Sequence, residues 1–195
     1  MTARREAVDR NRDRLLQAAY ELFVEQPYDR VTLDAVAGAA GVTRQTLLRQ
    51  FGSKDGLCVA VVDWLVPREE TAREAVPGDV ESGVDRLLDR YETTGDANFR
   101  FLGLEGRVDA IDYGLARARE GHRAWIERLF AADLARLRGP ERKTVVSALY
   151  AATDVTVWKL LRRDFGLSRL EVKAIVRRLV EGVLCTLSTP NESGK

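Results

Sequence analysis

Residues 31–57 read VTLDAVAGAAGVTRQTLLRQFGSKDGL and contain two short helical patterns joined by a glycine. The first pattern opens at Thr32, a residue type that caps helix N termini, and continues with an apolar stripe. Gly41 then supplies a residue that tolerates the left-handed conformation at a helix C terminus. Thr43 is suited to cap the second pattern. Two short helices with a tight glycine turn between them predict a helix-turn-helix.

The second helix of this pair has one apolar side and one basic side. Leu47 and Phe51 are four residues apart, so they share a side and are expected to be buried. The charged residues from the turn to the start of the next helix are all basic: Arg44, Arg49 and Lys54. Such a local basic cluster is typical of a nucleic-acid contact. The alternative is a helical corner with a solvated basic face.

The composition is that of a folded, soluble and helical chain. Of its 195 residues, 45% are hydrophobic and 31% charged, and only five are proline. Lys+Arg number 31 against 30 Asp+Glu, a net charge of +1, which excludes nucleic-acid binding by bulk charge alone. We find neither an apolar stretch long enough to span a bilayer nor a signal peptide. We therefore expect an all-α cytoplasmic protein with no membrane partner.

The cysteines and polar residues give no sign of a catalytic or metal centre. Cys58 and Cys185 are far apart and join no Cys/His cluster, which excludes a disulfide scaffold and a zinc site. No nucleophile–base pair or glycine-rich phosphate loop stands out. We expect no enzymatic activity, no metal and no cofactor. A thiol sensor at either cysteine stays open as a variant.

Helical patterns continue on both sides of residues 31–57. One helix is expected from about residue 7 to 25 and another beginning near residues 54–57. The later helices are predicted from Val80 to Gly95, from Asp109 to Leu137, from Gly139-Pro140 to about Asp164, and from Ser168 onward. Glu171 completes a capping box with Ser168 at the start of the last helix.

The stretch quoted above, with LLQAAYELFVEQPYDRVT before it, resembles the DNA-binding signature of TetR-type transcriptional regulators. In that family a Thr opens the second helix, an Ala-Gly-Val turn follows, and an aromatic residue precedes a Lys-containing loop. The similarity covers about residues 8–60. It implies an N-terminal three-helix DNA-binding domain over 1–56 and a larger helical ligand-binding and dimerisation domain over 57–188. The tail, residues 189–195, is expected to be disordered.

The resemblance also implies which residues meet DNA. The capping residues Thr32 and Thr43 match positions that meet phosphates. Arg44 and Gln45 match positions that read base edges, with Thr46 a weaker candidate, since Arg pairs with guanine and Gln with adenine. The remaining expected contacts are Lys54 and Arg49 to phosphates and Leu48 to a thymine methyl group.

Two positions of the signature depart from the family pattern. Leu48 stands where the family usually has Tyr, and Gln50 where it often has His or Tyr. We interpret these departures as a changed operator preference. Five arginines near the N terminus form either an arm on the DNA or an ordinary solvated extension: Arg4, Arg5, Arg10, Arg12 and Arg14.

The second half of the chain is expected to bind a ligand and a second copy of the chain. The helix over 144–163 and the final helix both carry apolar residues on more than one side, which predicts a four-helix homodimer interface. Burial within one subunit is the alternative. Candidate ligand contacts, for each of which a core role is the alternative, are Trp64, Phe99, Phe101, Leu102, Tyr113, His122, Trp125, Tyr150, Asp154 and Trp158.

These patterns together predict a regulator that binds double-stranded DNA. By the resemblance it is a repressor, released from a palindromic operator by an unknown small-molecule effector. The alternative is an all-α ligand-binding protein or enzyme that no longer uses its helix-turn-helix.

Overall fold

The structure is a computed structural model that describes residues 2–72 and 76–187, without the side chains of residues 2–9 and 70. Within these ranges the regular elements are all helical, which confirms the predicted fold class. The α-helices are α1 (Thr2–Glu25), α2 (Leu33–Ala40), α3 (Arg44–Phe51), α4 (Lys54–Ala72), α5 (Val80–Leu102), α6 (Asp109–Leu129), α7 (Ala131–Leu134), α8 (Gly139–Thr153), α9 (Val155–Lys159) and α10 (Arg169–Cys185). A 3₁₀ turn spans Tyr28–Arg30 and a π turn spans Leu160–Asp164. The predicted disordered tail lies outside the described residues.

The predicted helix boundaries around the helix-turn-helix are confirmed. Thr32 accepts a hydrogen bond from the Ala35 backbone N–H at 3.1 Å and begins α2. Gly41 ends α2 with φ of 65°, a left-handed conformation that favours glycine. Ser168 and Glu171 form the expected capping box at the start of α10.

Three of the later helix predictions are wrong in their ends. The helix through Gly95 does not stop there: α5 runs on to Leu102. The helix predicted over 109–137 breaks at Phe130, which leaves helical geometry with φ −102° and ψ 25°. The helix predicted to run to Asp164 breaks at Asp154, whose carboxylate accepts the Thr156 N–H at 2.9 Å and begins α9.

The chain divides into two compact units. The N-terminal unit comprises Met1–Glu69 and Ala97–Ala118, and the C-terminal unit comprises Glu70–Asp96 and Arg119–Lys195. The core of the N-terminal unit includes Ala110 and Ile111 from α6 among the buried side chains of α1–α4. Within the same unit the Tyr113 hydroxyl donates to Asp63 of α4 at 2.5 Å. The functional boundary predicted at residues 56/57 stays a prediction.

The C-terminal unit packs α5, α6, α8 and α10 around one apolar core that contains Trp125, Leu149 and Trp158. Acidic residues of α5 pair with basic residues of α10 at helical spacing. The Lys173 ammonium lies 2.5 Å from Asp85, and the Arg169 guanidinium lies 2.6 Å from Asp89. The hydrogen bond from Lys173 holds the pKa of Asp85 below its ordinary value. No helix in the described part of the chain is long and apolar enough to cross a membrane.

Candidate nucleic-acid interface

One side of helix α3 packs against the core of the N-terminal unit, and the other side is exposed to solvent. Leu47 is fully buried, while Phe51 is half-buried, with the Arg12 guanidinium carbon 5.2 Å from its ring centroid. At about 100° per residue, positions 44, 45, 48 and 49 fall within an arc of about 140°. All four side chains are exposed. We call this set, Arg44, Gln45, Leu48 and Arg49, the recognition face.

Arg44 makes a weak ion pair within the helix-turn-helix. Its Nε lies 4.0 Å from an Asp34 carboxylate oxygen, and the two side chains are 59% and 72% exposed. An ion pair this exposed contributes little to stability because water screens it. The guanidinium can therefore exchange the carboxylate for the edge of a base.

Both predicted capping threonines keep hydrogen-bonding capacity for DNA. The Thr32 hydroxyl oxygen accepts from the α2 backbone, so its own proton remains available to a phosphate. The Thr43 hydroxyl oxygen accepts the Thr46 N–H at 3.2 Å and lies 3.0 Å from the Thr46 hydroxyl. One of these two hydroxyls donates to the other, which leaves one proton for an outside acceptor. The N termini of α2 and α3 also favour phosphate, because the backbone N–H groups and the helix dipole there attract an anion.

Lys54 differs from the other predicted contacts because its charged group packs against Tyr28, and the residue is half-buried. Its ammonium donates to the Tyr28 carbonyl oxygen at 3.0 Å and lies 4.2 Å from the centroid of the tyrosine ring. The Tyr28 hydroxyl donates to Asp55. Burial and this hydrogen bond raise the pKa of Tyr28 well above its ordinary value. Sequence reasoning missed Tyr28, since nothing in the pattern indicates that this loop residue meets α4.

The arginine-rich N terminus is helical from Thr2 onward, as part of α1. The side chains of Arg4 and Arg5 lie outside the described part. Arg12 packs on the end of α3, as given above, and the Arg14 guanidinium donates to Asn11 at 3.4 Å. The backbone of this segment is therefore helical, and the two alternatives, an arm on the DNA or a solvated extension, stay open.

Five of the candidate ligand contacts lie in the N-terminal unit: Trp64, Phe99, Phe101, Leu102 and Tyr113. Trp64 donates to Asp13 at 2.9 Å and has the Arg68 guanidinium 4.1 Å from its ring centroid. Phe99 and Tyr113 are 39% and 38% exposed. Trp64 thus joins α4 to α1.

The other five lie in the C-terminal unit: His122, Trp125, Tyr150, Asp154 and Trp158. The buried His122 stacks on Trp125 with ring centroids 5.4 Å apart, and Tyr150 meets its edge at 4.7 Å. The His122 Nε2 lies 3.0 Å from the Thr153 hydroxyl. Asp154 is half-exposed, and its carboxylate caps α9.

Sequence reasoning missed two residues that join this aromatic group. The Tyr91 hydroxyl donates to the Thr153 carbonyl at 3.0 Å, and both side chains are buried. Tyr91 lies on the apolar stripe of α5, and the sequence pattern therefore predicts only that it is a core residue. No group of three or more His, Cys, Asp or Glu side chains that could hold a metal ion occurs among the residues described.

A shallow groove of about 380 Å³ runs between α8 and α10. Leu179, at 43% exposure, is a large apolar side chain on its wall. The side chains that line the groove are mostly small or apolar: Thr144, Val145, Ala148, Arg178, Leu179, Gly182, Val183 and Thr186. Apart from Thr186, the C-cap of α10, they belong to the two helices that the sequence predicts at a dimer interface.

Comparison with known proteins agrees with this geometry. The family model for bacterial regulatory proteins of the tetR family matches residues 15–61. The HTH-type transcriptional activator FasR of Mycolicibacterium smegmatis is 28% identical over 172 residues, which cover 88% of this chain and 68% of FasR. An HTH-type transcriptional repressor of Streptomyces coelicolor is 25% identical over 142 residues, which cover 73% of this chain and 70% of that protein.

Solved structures extend the similarity to the whole fold. A TetR transcriptional regulator from Rhodococcus sp. RHA1 superposes with a TM-score of 0.58 at 21% identity, covering 92% of this chain and 99% of that one. The family match spans the helix-turn-helix whose exposed face is described above. Residues 15–61 therefore match the tetR family of bacterial regulatory proteins, and the fold of the chain is similar to that of TetR-type transcriptional regulators.

Proposed function

We propose that this chain is a cytoplasmic, dimeric repressor that reads a palindromic operator with α3 and leaves it when a small molecule binds the C-terminal unit. The observation that carries the proposal is the recognition face. Its side chains are exposed on one side of α3, while Leu47 anchors the opposite side in the core. This leaves two cations, an amide and an apolar group available to a DNA groove.

Arg44 and Gln45 are proposed to read bases and Arg49 to neutralise a phosphate. A bidentate contact to a base contributes about 1–3 kcal/mol of discrimination, whereas a phosphate contact carries no sequence information. Arg44→Ala should therefore lose its preference at one operator position by roughly 5- to 150-fold. Arg49→Ala is the matched control, since it should weaken binding to all duplexes alike. Equal losses across all sequences in both variants would contradict the assignment.

The groove between α8 and α10 is proposed to pack against a second copy of the chain. Leu179→Glu would place a charge on its wall and should convert dimer to monomer in sedimentation experiments. Leu170→Glu is the control, because Leu170 is also exposed and on α10 but does not line the groove. A dimer that survives Leu179→Glu, or one that Leu170→Glu disrupts equally, would place the interface elsewhere.

We propose that a bound ligand releases the protein from DNA by moving α4 and α6, because each of these helices contributes residues to both units. Residues of α4 and the first half of α6 lie in the N-terminal unit, where Tyr113 and Asp63 join them. A coupling free energy of about 1–3 kcal/mol would change DNA affinity by about 5- to 150-fold. A compound that raises the thermal midpoint should bind the operator-bound protein more weakly by that same factor. Equal affinity in both states would refute the coupling.

The direction of regulation is proposed from the resemblance. The relatives reported above include one activator and one repressor by name. Transcription from a promoter that overlaps the selected operator should fall when the protein is supplied and recover in the Arg44→Ala, Gln45→Ala double variant. Increased transcription would make it an activator.

A further inference from the structure

The start of α4 is attached to the turn that precedes α2 through Lys54 and Asp55, both of which bond to Tyr28. Lys54 is the first residue of α4, and its ammonium donates to the Tyr28 carbonyl at 3.0 Å. The same ammonium lies 4.2 Å from the centroid of the Tyr28 ring, within the range of a cation–π contact. These two contacts place the charge of Lys54 against the turn.

The ring, the hydroxyl and the backbone carbonyl of Tyr28 each contact a neighbouring residue. Its ring stacks on Phe23 with centroids 5.5 Å apart, and the residue is only 4% exposed. Its hydroxyl donates to Asp55, the residue after Lys54. Its carbonyl accepts the Val31 N–H at 3.2 Å in addition to the lysine. The Tyr28 carbonyl oxygen therefore accepts both the hydrogen bond that closes the 3₁₀ turn and the hydrogen bond from the first residue of α4.

This attachment lies directly upstream of the DNA-reading helices. Val31 precedes Thr32, the N-cap of α2, and α2 leads through residues 41–43 into α3, with which it also forms the Asp34–Arg44 ion pair. Displacement of the Tyr28 turn would therefore change the angle at which α3 is presented. An ammonium in this place can act on DNA affinity without touching DNA.

We propose that Lys54 is a positioning residue, which holds the Tyr28 turn and so sets the path into α2, and that it does not neutralise a DNA phosphate. The inference rests on the proposed function, because its effect on DNA is measured as operator affinity. It departs from the phosphate contact that the sequence resemblance implies for this position.

Salt dependence separates the two roles. Each phosphate contact adds about 0.9 to the slope of log affinity against log salt concentration, or about 1.8 for a two-subunit complex. Lys54→Met keeps the apolar stem and removes charge and donor. We expect its operator affinity to fall about ten-fold, by loss of a charged hydrogen bond, with the wild-type slope retained. Arg49→Ala is the matched control and should lower the slope by about 1.8.

A neutral donor provides the second variant. Lys54→Gln keeps an N–H group near the Tyr28 carbonyl without a charge, so we expect operator affinity above that of Lys54→Met and the wild-type slope. If both Lys54 variants lower the slope as much as Arg49→Ala does, Lys54 is a phosphate contact and the inference is wrong.

A measurement without DNA keeps this test apart from the proposed function. Amide hydrogen exchange at Val31 reports the bond to the Tyr28 carbonyl. We expect its protection to fall about ten-fold in Lys54→Met and to stay unchanged in Arg49→Ala. Unchanged protection in Lys54→Met overturns the inference, whatever the DNA result. Failure of the wild type to select any duplex would instead overturn the proposed function.

Discussion

Replacing Gly95 with alanine would insert a methyl group into space occupied by the Trp158 indole. An added Cβ at position 95 would lie 2.3, 2.6 and 2.7 Å from three carbons of that ring. Carbon atoms pack at about 3.5–4.0 Å, so the ring would have to move by about 1 Å. Trp158 is only 1% exposed, and its Nε1 donates to Glu92 at 3.1 Å. The ring is therefore buried and tethered.

The magnitude follows from two opposing terms. Overpacking a core costs about 1–3 kcal/mol, and the rigid indole argues for the upper end. Alanine is about 1 kcal/mol more favourable than glycine inside a helix, and Gly95 lies within α5. We expect a net loss of about 2 kcal/mol, which lowers the thermal midpoint by about 4–8 °C for a chain of this size.

The matched control is Gly121→Ala in α6 of the same unit. An added Cβ there meets nothing within 4 Å. This variant should gain about 1 kcal/mol, raising the midpoint by about 2–4 °C. Both are measured by circular dichroism during heating. If Gly95→Ala stabilises the protein as Gly121→Ala does, the packing of Trp158 on α5 is wrong.

Two further predictions concern titration and thiol reactivity. The hydrogen bond from Lys173 lowers the pKa of Asp85, so the charged carboxylate stabilises the fold above about pH 4 and loses that contribution as the pH falls through the lowered pKa. The difference in thermal midpoint between wild type and Asp85→Asn should therefore shrink as the pH falls below about 4. A constant difference would contradict the ion pairing. Burial raises the pKa of Cys58 to about 12, whereas Cys185 is exposed. A thiol reagent at pH 8 should therefore label Cys185 first and Cys58 only when the protein unfolds. Equal labelling rates would contradict the burial of Cys58.

The sequence predicts best where a local rule acts alone. Both ends of α2 and the start of α3 follow from the chemistry of Thr32, Gly41 and Thr43, each of which acts on neighbouring backbone. Gly95 wrongly suggests the end of α5. Glycine occupies this position because the Trp158 ring, 63 residues later in the chain, leaves no room for a Cβ atom. A single sequence gives no direct sign of such long-range contacts.

The candidate site divides in the same way. The recognition face follows from the buried position of Leu47 and the period of a helix. The role of Lys54 depends on a carbonyl oxygen of Tyr28, 26 residues earlier, which no side-chain pattern reveals. Asp154 caps α9 because α8 breaks where the apolar pattern continues, and its contact with a ligand stays a prediction.

Selection of binding sites from random duplex DNA is the most direct test of base reading by α3. Wild type and the Arg44→Ala, Gln45→Ala double variant are compared side by side, with folding of both checked by circular dichroism. We predict a palindromic motif for the wild type and none for the double variant, with a half-site spacing set by the dimer. The same motif recovered by both proteins would contradict the account.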